Sequence, residues 1–101
     1  MGINYMHIIK GKTLISRVIR LKSNQVVLAR PGRVEIKIFR NDELSDKKFV
    51  VEVVMPWGNI YTIDRFETEP EAREFFKKCT EAMKLGSARL VIGTDFSVRL
   101  K

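Results

Sequence analysis

Few residues capable of chemistry occur in this chain, and their scarcity excludes much. A single cysteine, Cys79, cannot close an internal disulfide, so no oxidised scaffold is expected and the cytoplasm is the expected compartment. No apolar run exceeds a few residues, too short for a membrane helix. The opening "MGINYMHIIKGK" has neither the apolar core nor the small-residue cleavage site of a signal peptide. His7, the one histidine, lies in an apolar stretch with no nucleophile placed beside it by any motif, so it reads as structural. One cysteine and one histidine fall short of the three or four clustered ligands that zinc needs. "GKT" at 11–13 resembles the end of a phosphate-binding loop, but position 6, where that pattern wants glycine, is Met6. The expectation is a protein that is not an enzyme, with no cofactor, metal or small-molecule substrate.

Acid is scarce in one half only. Residues 1–40 hold nine Lys or Arg against one acid, Glu35, a net +8; the other 61 residues carry ten bases and eleven acids, a net −1. The whole excess of the +7 chain therefore lies in its first half. Such a distribution suits a polyanion, although surplus basic residues also serve solubility.

What is present is enough to fold. Hydrophobic residues make up 45% of 101 residues, sufficient for one domain spanning 1–101 without staples. "KFVVEVVMPWGNIYTIDRF", residues 48–66, has two alternating runs around Met55-Pro56-Trp57-Gly58. Pro56 presets the first turn position and Gly58 takes the left-handed one, which predicts a hairpin closed by a type I turn and a bulge. With Met55 opposite Asn59, the core face is Phe49, Val51, Val53, Tyr61 and Ile63. A helix over about 69–85 follows. Thr68 and Glu71 form a capping box, Ala72, Phe75, Phe76, Cys79 and Met83 form one apolar stripe, and Gly86 ends it. Cys79 on that stripe reads as a small core residue.

The remainder is less regular. Residues 13–22 fit a strand better than a helix, because β-branched residues dominate an apolar set that either period would accept. "QVVLAR" and "RVEIKIF" read as strands, with 26–30 pairing 33–40 across Arg30-Pro31-Gly32-Arg33. "SARLVIGTDFSVRL" reads as one or two short strands bending at Gly93-Thr94-Asp95. The fold class is α+β: a mostly antiparallel sheet of short strands packed against one long helix in the C-terminal half, with a short strand or hairpin after it. One helix covers one sheet face, which predicts a homodimer over the other. Asp42, Glu43 and Asp46 read as a solvated connection between strands.

The order strand, strand, strand, helix over 33–85 resembles the double-stranded RNA-binding domain in topology. That family places lysines at the start of its last helix, where this chain has the acidic "TEPEAREFFKK". The functional expectation rests on the basic half instead. Arg20, Lys22, Arg30, Arg33, Lys37 and Arg40 are the candidate phosphate contacts, and Phe39 and Trp57 the candidate stacking platforms for an unpaired base. Together they predict a single-stranded DNA or RNA binder using backbone and stacking contacts, with the later helix, Lys77 included, outside the site. The alternative is an assembly module whose basic face meets an acidic protein.

Overall fold

In a computed structural model, residues 10–21, 26–27, 32–86, 90–92 and 98–100 are described. Four strands, β1 (Gly11–Leu21), β3 (Gly32–Asn41), β4 (Phe49–Val54) and β5 (Ile60–Phe66), form an open antiparallel sheet in the order β1-β3-β4-β5. The helix α1 (Glu69–Leu85) packs across one face. Three short segments, β2 (Val26–Val27), β6 (Leu90–Ile92) and β7 (Val98–Leu100), form a second sheet in the order β2-β6-β7, parallel and then antiparallel. The bend expected at 93–95, His7, Lys22 and Arg30 lie outside the described residues. No helix among the described residues is long and apolar enough to cross a membrane. The Cα radius of gyration is 13.3 Å, that of one compact body of about this length.

The β4–β5 hairpin forms as its local chemistry dictates. The Met55 N–H donates to the Asn59 carbonyl at 2.8 Å, and the Gly58 N–H donates to the Met55 carbonyl at 2.8 Å. Gly58 has φ +99°, available to glycine at little steric cost. Val54, Val53 and Glu52 face Ile60, Tyr61 and Thr62, after which the register shifts by one residue, so that Val51 faces Asp64. Such a bulge adds twist without turning the core residues outward. Val51 and Val53 are fully buried, and Phe49, Tyr61 and Ile63 pack against the same cluster.

The helix is bounded by its predicted caps. Thr68 accepts a hydrogen bond from the Glu71 N–H through its side chain, and Gly86 adopts the left-handed conformation at φ +79°. Ala72, Phe76, Cys79 and Met83 are buried as the stripe requires, and Thr80 joins them. The Thr80 hydroxyl donates to the Lys77 carbonyl at 3.1 Å, which removes the cost of burying it. Phe75 is half-buried against Phe66, ring centroids 5.2 Å apart. Burying Phe76 and Met83 contributes roughly 2–3 kcal/mol each.

One expectation needs correction. β3 does not pair with Val26–Val27, the described part of 26–30: its neighbours are β1, with Ile19 opposite Val34 and Arg20 opposite Arg33, and β4, while Val26–Val27 pairs with β6 in the other sheet. The residues from Gly11 to Leu21 are thus a strand, and a longer one than read, because its real partner is the ten-residue β3. The sheet face away from the helix is covered at its centre and open at Val18. On that face Lys37 is 3% exposed, Phe39 4% and Val50 4%, all without a second copy of the chain.

Candidate nucleic-acid interface

Strand alternation decides which basic residues meet. Arg33, Glu35, Lys37 and Phe39 share the β3 face opposite to Val34, Ile36 and Ile38, which belong to the core under α1. Arg20 and Arg33 are directly opposed on β1 and β3, and both are exposed. Two exposed guanidinium groups on directly opposed positions repel mildly. The β4–β5 turn lies at the same end of the sheet: a Cβ built on Gly32 would sit 3.3 Å from Cγ of Pro56. Trp57, next in that turn, is 47% exposed. The fold therefore gathers Arg20, Arg33 and Trp57 at one sheet end.

The other candidates are not part of that group. Lys37 is buried between Ser16 on β1 and Glu52 on β4, so its ammonium serves a buried charge pair and is not open to a phosphate. Burial raises the Glu52 carboxyl above its ordinary value, and the nearby Lys37 offsets only part of that rise. Oε1 of Glu52 is buried and has no hydrogen-bond partner among the described residues. Phe39 is too deeply buried to stack on a base. Its ring closes on Gly11, where an added Cβ would overlap the Arg40 carbonyl oxygen and lie 2.6 Å from the ring carbon Cζ of Phe39. Arg40 is half-exposed at the far end of β3, and its Nε lies 3.1 Å from Oδ1 of Asp42.

The acidic loop holds the fold together. Oε2 of Glu43 accepts from the Lys10 N–H at 2.9 Å, and Asp46 pairs with Arg65 at 3.3 Å. Arg65 also donates to the Lys47 and Asp46 carbonyls, at 3.2 and 3.0 Å, and the Lys47 N–H donates to Glu67 at 3.0 Å. No group of three potential metal ligands occurs among the described residues. Cys79 is buried, and desolvation, with a smaller push from Asp64, raises its thiol to about 11. A thiol held protonated is a packing residue.

Sequence reading missed a cleft of about 360 Å³ between β1 and α1. Its apolar floor is Ile15 and Phe76. Arg17 stands on the strand wall, and Arg73, Lys77 and Lys84 on the helix wall, with Glu81 as the one acid among the lining residues. Arg73 is held by Glu69 at 2.7 Å, whereas Arg17, Lys77 and Lys84 have no ion pair among the described residues. The signal was present in fragments. Ile15, Arg17, Ile19 and Leu21 share one strand face, so a cation interrupts an apolar row. Arg73, Lys77 and Lys84, spaced by four and seven, fall on one flank of a helix. The pairing of the two elements, which sets these cations opposite one another, is not written locally. No known protein family, curated protein or solved structure matches this chain.

Proposed function

We propose that this chain is a non-catalytic nucleic-acid-binding protein that holds single-stranded DNA or RNA through phosphate contacts and base stacking, with little base readout. The observation that carries the reading is the end-of-sheet group of Arg20, Arg33 and Trp57, two exposed forked cations beside an exposed aromatic ring. Guanidinium groups suit bidentate phosphate contacts, and an indole ring stacks on any base. Directly opposed cations are unfavourable alone and become favourable around a polyanion. The reading is that of a cytoplasmic protein with a buried, unreactive cysteine. A homodimer has one supporting feature on the sheet face away from the helix, the row Val18, Glu35, Val54 and Ile60, in which Val18 is 66% exposed and Glu35 divides the apolar positions. Light scattering that gives a monomer at high micromolar concentration would remove it.

The test is fluorescence anisotropy with labelled single- and double-stranded oligonucleotides over a salt series. If about four phosphates are contacted, log K falls against log salt with a slope of roughly −3 on single strands. Arg20→Ala with Arg33→Ala removes two contacts and flattens the slope by about 1.4. Trp57 is the chain's single tryptophan, so quenching of its emission reports stacking directly. No binding at low salt, with an acidic protein retained instead, would replace this reading by the assembly module.

A further inference from the structure

The cleft between β1 and α1 sets like charges against each other across a half-open groove. Its lining carries four cations and one acid, Glu81, and Glu69 beside it neutralises Arg73, which leaves a net +2. Folding alone does not favour this arrangement: Arg17 faces a helix flank bearing Lys77 and Lys84, and none of the three has an ion pair among the described residues. Sites where local preference and global fold disagree are where function is to be sought. An inward cation on an edge strand also discourages sheet-to-sheet pairing, which accounts for Arg17 but not for the lysines opposite it.

From this geometry we infer that the cleft binds one nucleotide carrying a terminal phosphate, free or at the end of a strand. Three observations select that ligand. A net +2 exceeds what one phosphodiester neutralises, whereas a phosphomonoester brings about −1.5 to −2 and matches it. The floor of Ile15 and Phe76 offers an apolar seat to a base, which a bare phosphate would leave unused. A volume of about 360 Å³ lies near the small end of the ~300–1,000 Å³ range of small-molecule sites, room for one nucleotide and no more. The inference deepens the nucleic-acid reading and rests on it. Arg20 is three residues beyond Arg17 on the same strand, about 10 Å at ~3.3 Å per residue, but on the opposite sheet face, so a strand anchored in the cleft reaches the Arg20–Arg33 group by passing around the open β1 edge.

Isothermal titration with uridine 5′-monophosphate, uridine and inorganic phosphate tests the cleft by itself. The expected result is nucleotide binding at least ~10-fold tighter than either fragment, the gain when a charged and an apolar contact are made together. Lys77→Ala and Arg17→Ala should each weaken it about 5-fold or more, while Lys78→Ala, on an exposed residue paired with Glu74, should not. In phosphate-free, low-salt buffer the two cleft variants should melt no lower than the parent, and about 1–3 °C higher if the like-charge repulsion is relieved. Loss of binding together with gain in stability separates a ligand site from a structural role. A 5′-phosphate that tightens oligonucleotide binding identifies a strand terminus as the ligand; tightening confined to the free nucleotide identifies that form. Nucleotide binding no tighter than inorganic phosphate, or lost equally in Lys78→Ala, overturns the inference. Should oligonucleotide binding then persist with its dependence on Arg20 and Arg33, only the cleft assignment fails and the broader reading stands.

Discussion

The two edges of the main sheet use charge in opposite ways. At the β5 edge the charges on the strand end are answered: Arg65 reaches Asp46 and two carbonyls, and Glu67 receives the Lys47 N–H. At the β1 edge, Arg17, Arg20 and Arg33 meet cations or open solvent, and the helix adds Lys77 and Lys84 to the same side. Charges at the first edge stabilise the fold, and those at the second are held in place by the fold against their own repulsion. The comparison teaches that net charge says little until each charge is given its neighbour.

Removing what both edges depend on should have the largest effect. Phe76 is buried in the common core and also floors the cleft, so Phe76→Ala should cost ~3–5 kcal/mol in urea denaturation. A loss below about 1 kcal/mol would mean that α1 is not packed on the sheet through this residue. The contrast between edges is sharpened by Arg65→Ala. It should lose about 1–2 kcal/mol, the three bonds being partly exposed to solvent, whereas Arg17→Ala should lose nothing. Equal losses at the two positions would erase the distinction.

The smallest effect concerns the charge pair in the middle of the sheet, between the edges. The Glu52 carboxyl is raised in the folded protein, so the folded state holds its proton to higher pH than the unfolded chain does. Its contribution is fully present below the unfolded value, about pH 4, and is lost as pH rises through the folded value. Glu52→Gln mimics the protonated form, and should match the parent near pH 4 and exceed it in stability at pH 7. Paired urea titrations at the two pH values check the sign, and a variant weaker than the parent at pH 7 would show that Lys37 outweighs burial.

The parts legible in the sequence were those whose signals are local. Pro56 and Gly58 specify a turn within four residues, and Thr68, Glu71 and Gly86 fix the two ends of a helix, so the hairpin and α1 were placed nearly to the residue. The partner of β3 was not legible, because β1 and the 26–30 segment have similar apolar content and only long-range packing chooses between them. Alternation correctly placed Arg33, Glu35 and Lys37 on one face, yet could not reveal that this face is wet at Arg33 and dry at Lys37. The cleft was hidden for the same reason: it joins positions 17 and 77, and neither segment advertises the other.

In the main sheet each strand lies beside one from its own stretch of chain, apart from the excursion through β2 that separates β1 from β3. Such an order keeps the loops to be closed short, which favours rapid assembly of β3, β4 and β5 through turns alone. The basic cleft needs the helix to return across the sheet to the strand that began it, a contact distant in sequence and so expected late. Interactions absent from the rate-limiting ensemble act on the rate of unfolding rather than that of folding. Should the cleft form after that step, an anion bound there is expected to slow unfolding and leave the folding rate unchanged, which urea unfolding kinetics with and without the anion would read.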